Sequence, residues 1–206
     1  MGNRGRFGKY GENKRFDRLR SGRIGAISSG KPILKSFRSH PVSERSLYQE
    51  ARVNMRPANN KDIQFIRRLS AKVFNIYGPY EEIIPKWFES DISVTIIALM
   101  NRQPAGFAMI GDPSIRYDFQ HVSELLAIAV DPKRQRKGIG KLLLGEMDKK
   151  AIELNIKRIF LHTAKENFPA QRLFERAGYK PWEIKKGFYP KGQDAIVMSR
   201  IPEKLF

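Results

Sequence analysis

The stretch from Ala129 to Met147 reads AVDPKRQRKGIGKLLLGEM, and this stretch decides the fold class. It begins at the end of an apolar run, VSELLAIAV, which has the length of a buried strand. The run ends at Asp131-Pro132, and basic residues and two glycines follow. Leucines and a methionine then recur at helical spacing, so we expect an amphipathic helix from Gly138 to about Leu154. The stretch therefore predicts a buried strand, a basic turn and a helix in direct succession.

Gly138 and Gly140 lie where the basic turn becomes the helix. The first N–H groups of a helix lack intrahelical partners and carry partial positive charge, so they attract phosphate. Glycines let the backbone approach a phosphate closely, and Arg136, Lys137 and Lys141 add positive charge. The dinucleotide pattern GxGxxG is excluded because its third glycine is replaced by a leucine, and no GxxxxGK[ST] loop occurs. Spacing alone leaves open a phosphate-binding turn, a basic helix cap and contact with RNA.

The chain from about Ala51 onward alternates strand-like and helix-like segments. Their order is strand, two helices, three strands, helix, strand, helix and two strands, which predicts an α/β domain with a mixed sheet. No internal repeat occurs. Besides the quoted stretch, the predicted strands are 51–58, 93–100 and 105–111 around the turn NRQP, 157–163, and two that flank YPKGQD; the predicted helices follow Asn60, span Tyr80–Glu89 and span Pro169–Ala177.

Residues 1–40 differ in composition from the rest of the chain. They hold 11 Lys and Arg against 2 Asp and Glu, which is +9 of the net charge of +18, together with seven glycines and isolated aromatics. Without helical or strand periodicity, residues 1–50 are predicted to be a basic arm that is disordered alone, ahead of a domain at 51–206. The arm is open to three interpretations: a solubilising extension, a mitochondrial transit peptide, or an arm that pairs arginines with RNA phosphates and stacks aromatics on bases.

Composition also limits the classes of site and location. The chain has no cysteine and three scattered histidines, so disulfides, thiolate metal sites and cysteine nucleophiles are excluded and we expect no metal site. No apolar run approaches the roughly 20 residues that span a bilayer, and no secretory signal is visible near residue 1. We therefore expect a cytoplasmic protein without membrane contact.

Two motifs resemble those of the Gcn5-related N-acetyltransferase (GNAT) superfamily. Gln135 to Gly140, QRKGIG, resembles its acetyl-CoA signature, and ENFPAQRLFERAGY resembles its second conserved segment about 30 residues later. The resemblance covers roughly residues 53–201. It implies a GNAT-like mixed central sheet with flanking helices and acetyl-CoA as co-substrate, with the basic turn on the pyrophosphate of coenzyme A instead of RNA. The cofactor-binding residues that it implies are Ile128 and Val130 through their backbone in a splayed strand, the signature residues Gln135, Arg136, Lys137, Gly138, Ile139, Gly140 and Lys141, and Asn167, which could also simply cap a helix.

The resemblance implies direct attack of an amine on the thioester. An α-amine has a pKa of about 7.7–8.0 and a lysine about 10.4, so an α-amine needs only a modest base. Glu124 and His162 each interrupt an apolar strand where family members carry a catalytic base, although the histidine could be structural and the glutamate solvent-facing. The usual tyrosine acid is Phe174 here, so water or another hydroxyl such as that of Tyr189 would have to protonate the leaving thiolate.

The segment GFYPKGQDAIVM resembles the hairpin of N-terminal and ribosomal-protein acetyltransferases. In that branch the hairpin and the loop between the first two helices hold a peptide N-terminus, which implies that Tyr189, Tyr77 and Tyr80 bind the acceptor unless they only pack. We expect an acetyl-CoA-dependent acetyltransferase for a protein or peptide α-amine, held at a ribosome by the basic arm. The alternatives are a polyamine or lysine acetyltransferase, with Glu81 and Glu82 recognising a cation, and a ribosome- or RNA-binding protein with an idle acetyltransferase domain.

Overall fold

The computed structural model describes residues 53–90, 92–111 and 121–202. The predicted basic arm and its proposed RNA contact lie outside these residues. Within them the predicted order of elements is confirmed. The strands are β1 (Val53–Pro57), β2 (Ser93–Met100), β3 (Gln103–Gly111), β4 (Val122–Val130), β5 (Arg158–Ala164), β6 (Lys180–Lys185) and β7 (Ala195–Arg200), and the helices are α1 (Ile63–Phe74), α2 (Tyr80–Glu89), α3 (Ile139–Glu153) and α4 (Phe168–Arg176).

The strands form one mixed sheet in the order β1-β2-β3-β4-β5-β7-β6. Every neighbouring pair is antiparallel except β4 and β5, which are parallel and are joined through α3. A parallel pair requires such a crossover, whereas antiparallel pairs can be joined by short turns. The predicted α/β class with a mixed sheet is therefore confirmed.

The turn between β2 and β3 is shorter than predicted. Asn101 and Arg102 both adopt positive φ, at 52° and 65°, and Gln103 pairs directly with Met100. Two residues with positive φ make the hairpin turn whose twist matches that of the flanking strands. The prediction of NRQP as a four-residue turn was wrong by two residues, because Gln103 and Pro104 belong to β3.

Helices cover the sheet on both sides. Ile66 and Leu69 of α1 and Ile84 of α2 pack with one set of sheet side chains, which includes Phe107. A second set packs with α3, where Leu143 is fully buried. Burial of one large aliphatic side chain contributes about 1.5–3 kcal/mol, so these two apolar layers hold the helices on the sheet.

Two ion pairs fasten helices to strands. Arg56 of β1 donates two hydrogen bonds of 2.7 Å to Asp62, whose carboxylate also accepts the N–H of Asn59 at 2.8 Å just before α1. On the other side of the sheet, buried Asp148 of α3 pairs with Arg200 of β7. Each pair fixes where a helix lies relative to the strands that form the site.

Candidate active site

A cleft opens between β4 and β5 because the two strands separate partway along. Their pairing runs from Val122 and Arg158 to Leu125 and Leu161, although both strands continue beyond that point. On its other edge β4 has a bulge at the same level, since Ile110 pairs with Leu125 but Met109 pairs with Ala127. A bulge bends its strand and ends regular pairing. The predicted splay of β4 is confirmed, and the resulting cleft has a volume of about 390 Å³.

Glu124 and His162 meet on the wall of this cleft. Glu124 lies on β4 and His162 on β5, and the Nδ1 of the imidazole is 2.6 Å from the Oε1 of the carboxylate. The side chains are 31% and 13% exposed, so the contact is largely shielded from water. The sequence suggested these residues as alternative bases, whereas the structure joins them as a hydrogen-bonded carboxylate–imidazole pair.

Two further residues hold the imidazole from the β6–β7 side, and sequence reasoning did not assign them a role. The ring of Phe188 stacks on His162 with centroids 4.2 Å apart and planes 8° apart. The Nζ of Lys185 is 3.1 Å from the Nε2 of the same ring. In the sequence, Phe188 was one residue of the segment GFYPKGQDAIVM and Lys185 was one of many lysines. Their contacts depend on how β6 and β7 continue the sheet.

Three tyrosines lie near the pair: Tyr77 in the α1–α2 loop, Tyr80 at the start of α2 and Tyr189 in the β6–β7 loop. The ring of Tyr189 is 4.9 Å from that of Tyr77 and 6.3 Å from that of Tyr80, and all three line the cleft. Burial raises the pKa of the Tyr189 phenol well above its usual value, and its tyrosine neighbours and Glu124 raise it further. Burial, and then Glu124, likewise raise the pKa of Tyr80. These phenols therefore keep their protons at neutral pH and can donate hydrogen bonds.

The α1–α2 loop, which carries Tyr77, and the β6–β7 loop, which carries Tyr189, are bonded to each other. The N–H of Lys191 donates to the carbonyl of Tyr77 at 3.2 Å, and the amide of Gln193 donates to the carbonyl of Ile76 at 2.6 Å. Gly78 lies against Pro190 so closely that an added Cβ would come within 2.8 Å of the proline ring. The α1–α2 loop and the β6–β7 loop therefore form a single aromatic wall beside the Glu124–His162 pair.

Phe174 lines the same cleft at the position where the family usually has tyrosine. It is 4% exposed and packs against Tyr179 with ring centroids 5.8 Å apart. Its ring has no proton to donate. Among the described lining residues, the hydroxyl groups belong to Tyr77, Tyr80, Tyr189 and Thr163.

Some side chains of the basic turn bond to the rest of the domain, and others are exposed to solvent. Arg134 donates to the carbonyls of Met100 and Gln103, so it holds the β2–β3 turn, and Gln135 donates to the carbonyl of Val130 at 3.1 Å. The resemblance implied that backbone groups of Val130 bind the cofactor, and one of them, the carbonyl, already accepts this hydrogen bond. Arg136, Lys137 and Lys141 remain exposed.

The two glycines of the turn differ in what they allow. Gly138 has φ of 77°, and among the described residues, its chain neighbours and own helix backbone aside, no atom lies within 4 Å of the position that a Cβ would occupy. A Cβ on Gly140 would instead meet the side chain of Leu173 at 3.1 Å, so this glycine permits close packing of α3 against α4. The open approach to the first turn of α3 is therefore at Gly138, which fits a phosphate group there.

Asn167 serves the helix and the cleft together. Its side-chain oxygen accepts the N–H of Ala170 at 3.2 Å and so caps α4, and the residue also lines the cleft. The two readings of Asn167, cap and cleft residue, are compatible because the amide has separate donor and acceptor ends.

Two acidic residues that we suggested for recognition of a cationic acceptor lie outside the cleft. Glu81 and Glu82 are in the first turn of α2 and do not line the cleft, whereas Glu124 does. Among the described residues there is no cluster of His, Asp and Glu that could hold a metal ion. Within the same residues no helix has the length and apolar character needed to cross a membrane.

Comparisons with known proteins agree with this architecture. An N-alpha-acetyltransferase of Saccharolobus solfataricus is 27% identical over 156 residues, which is 71% of this chain and 91% of the relative. A [ribosomal protein bS18]-alanine N-acetyltransferase of Salmonella typhimurium is 33% identical over 78 residues, or 36% of this chain and about half (53%) of the relative. The solved structure of Ard1 from Thermoplasma volcanium shares the fold, with a TM-score of 0.63 and 20% identity over 74% of this chain and 99% of that one.

The family model for the acetyltransferase (GNAT) family matches residues 62–179, from the start of α1 to the end of α4. That range holds the splayed strands, the basic turn and the Glu124–His162 pair. More than half of the chain is thus matched in the region that forms the cleft, and the chain belongs to the GNAT family of acetyltransferases.

Proposed function

We propose that this N-acetyltransferase transfers the acetyl group of acetyl-CoA to the α-amine of a peptide or protein. The observation that supports it most is the joint wall of the α1–α2 and β6–β7 loops, which places three tyrosines beside the Glu124–His162 pair. This arrangement suits the N-terminus of a peptide: the Glu124–His162 pair can accept a proton from the single α-amine, and the aromatic wall can contact the first side chain. Two relatives support the same acceptor, since one is named an N-alpha-acetyltransferase and the other a [ribosomal protein bS18]-alanine N-acetyltransferase.

The residues present fit acetyl-CoA. The first turn of α3 is approached openly at Gly138 and is flanked by Arg136, Lys137 and Lys141, which suits a pyrophosphate. Beyond Leu125 the backbone of β4 no longer pairs with β5, so polar backbone groups at Ile128 face the cleft instead of a strand. The donor supplies an acetyl group activated as a thioester.

The pair can make the acceptor nucleophilic. Because Nδ1 of His162 faces the Glu124 carboxylate, the neutral ring keeps its proton there and offers the Nε2 lone pair. Nε2 can take a proton from an α-ammonium, and Glu124 then stabilises the imidazolium. The neutral amine attacks the acetyl carbon, the bond from that carbon to sulfur breaks, and the nitrogen releases its second proton as the amide forms. We assign protonation of the leaving thiolate to the hydroxyl of Tyr189, which burial keeps protonated beforehand and which then recovers the proton that the nitrogen released, because Phe174 has no proton to donate.

The test is acetyl transfer from labelled acetyl-CoA to peptides with free or blocked N-termini, with spermidine alongside. We expect incorporation that is lost when the α-amine is blocked. Incorporation into blocked peptides or spermidine would replace the α-amine by a side-chain or polyamine nitrogen. Binding of acetyl-CoA without any transfer would support the idle-domain alternative, which Phe174 keeps open.

The placement at a ribosome rests on charge alone. Residues 1–40 carry +9, and such a segment binds phosphates with a strong dependence on salt. We expect the full chain to co-sediment with ribosomes at low salt and to be released as salt rises, and a variant without residues 1–40 to stay in the supernatant. Equal co-sedimentation of both forms would contradict a role for the arm.

A further inference from the structure

The Nε2 atom of His162 already has an ammonium group bound to it. Lys185, the last residue of β6, places its Nζ 3.1 Å from Nε2 and 5.7 Å from the centroid of the Phe188 ring. An ammonium group can only donate hydrogen bonds, so Nε2 must present its lone pair and the ring proton must be on Nδ1. This agrees with the 2.6 Å contact between Nδ1 and the Glu124 carboxylate. The arrangement is carboxylate, neutral imidazole and ammonium, in a row.

Two chemically distinct surfaces hold that ammonium. One is the imidazole lone pair, and the other is the face of an aromatic ring, which attracts cations. Phe188 is stacked on His162 and stands at 89° to Tyr189, so the same ring borders both the imidazole and the tyrosine wall. We call the position between His162 Nε2 and the Phe188 ring the ammonium subsite.

Lys185 is held weakly enough to leave. Its carboxylate contact is Glu183, at 3.9 Å, and both side chains are about half exposed, at 44% and 51%. Exposed pairs of this kind contribute about 0–1 kcal/mol. The neighbouring Lys186 shows the contrast, because its Nζ is 2.8 Å from Asp194. Within the part of the chain that the structure describes, displacing Lys185 from the subsite therefore breaks no close ion pair, and its long side chain can turn to solvent.

We propose that the ammonium subsite binds the α-ammonium of the acceptor, and that Lys185 occupies it as an internal competitor until the acceptor arrives. The inference rests on the proposed function, and it deepens that function by naming where the acceptor nitrogen binds. While Lys185 is in place the Nε2 lone pair is engaged and cannot take a proton from the acceptor. When the acceptor displaces it, the α-ammonium donates one proton to Nε2, which leaves a neutral amine and an imidazolium beside Glu124.

The first test observes His162 directly in the full chain, without catalysis. In protein with ¹⁵N-labelled histidine, Lys185→Met should move the Nε2 resonance of His162 toward that of an unbonded imidazole nitrogen. Lys180→Met, which removes an exposed charge at the other end of β6, should leave the resonance in place. An Nε2 resonance that is the same in wild type and Lys185→Met would overturn the proposal.

The second test adds the acceptor. A peptide with a free N-terminus should restore the hydrogen-bonded Nε2 resonance in Lys185→Met, whereas the same peptide with a blocked N-terminus should not. In steady-state transfer, Lys185→Met should lower KM for the free peptide by about two- to five-fold, the range of an exposed charged contact, and Lys180→Met should not change it. A KM that stays constant or rises would overturn competition by Lys185.

The two tests separate this proposal from the proposed function. Restoration of the resonance by the free peptide without any acetyl transfer would support the ammonium subsite and refute the transferase reaction on that peptide. Acetyl transfer to the free peptide without a response at Nε2 would leave the reaction in place and refute the subsite.

Discussion

Replacing Glu124 by Gln should slow transfer by an amount that the contact with His162 predicts. The 2.6 Å contact joins largely shielded side chains, and the carboxylate becomes the partner of a full positive charge when the imidazole is protonated. A hydrogen bond to a charged group contributes about 1.5–3 kcal/mol. At about 1.4 kcal/mol for each factor of ten, kcat/KM should fall about 10- to 150-fold.

Replacing His162 by Gln should have the larger effect because it removes the proton acceptor itself. General base catalysis contributes about 10²–10⁴-fold, so kcat/KM should fall within that range. The double variant should fall no further than His162→Gln alone, because without the imidazolium the Glu124 carboxylate has nothing to stabilise.

The assay is steady-state kcat/KM for a free-amine peptide at saturating acetyl-CoA. Glu146→Gln is the matched control, since Glu146 pairs with Lys149 on α3, away from the cleft, and should leave kcat/KM unchanged. Urea unfolding of each variant checks that the fold is intact. The reasoning is refuted if Glu124→Gln stays within about twofold of wild type, well below the range expected of a charged hydrogen bond, or if the two single losses multiply in the double variant.

The remaining predictions concern the turn and the two ion pairs. Gly138→Ala should cost about 1–2 kcal/mol of stability, because φ is 77°, and should weaken acetyl-CoA binding measured by calorimetry; unchanged values of both would contradict it. Asp148→Asn removes the anion that pairs with Arg200, whose side chain is 12% exposed, and should lower the free energy of unfolding in urea by about 3–5 kcal/mol, and a loss below about 1 kcal/mol would count against it. The hydrogen bonds from Arg56 hold the pKa of Asp62 below its usual range. The ionised Asp62 carboxylate therefore stabilises the fold fully above the ordinary carboxyl pKa of about 4, and this stabilisation is lost as pH falls toward the lowered pKa. The difference in unfolding free energy between wild type and Asp62→Asn should therefore shrink from pH 7 to pH 3, and a constant difference would refute this.

Local sequence patterns were sufficient to predict most of the helices and strands. The position of α3 follows from apolar residues at helical spacing after Gly138, and α4 ends before Gly178, which has φ of 85°. These signals act within a few residues of each other along the chain. The β2–β3 turn was misjudged because Asn101 and Arg102 adopt positive φ, which non-glycine residues rarely do and which their identities only weakly indicate.

In the basic turn, the sequence motif did not predict which glycine is open to a ligand and which one packs against another helix. From the sequence we predicted the same role for Gly138 and Gly140, which both lie at the start of a helix. Only packing separates them, since Gly140 faces Leu173 of α4, a residue 33 positions later, and Gly138 faces open space. The same holds for Gln135, whose bond to the Val130 carbonyl depends on how the turn folds back on β4.

By itself the sequence determined the order of the elements, the class of fold and the position of the basic turn, because each depends on spacing between near neighbours. Only the tertiary structure decided that Glu124, His162 and Lys185 form one row. Residues 124 and 162 meet through the parallel pairing of β4 with β5, and residue 185 joins them because β7 and β6 extend the sheet from β5. Strand register between distant segments is set by which faces must be buried together, and no local pattern in any one strand contains that information.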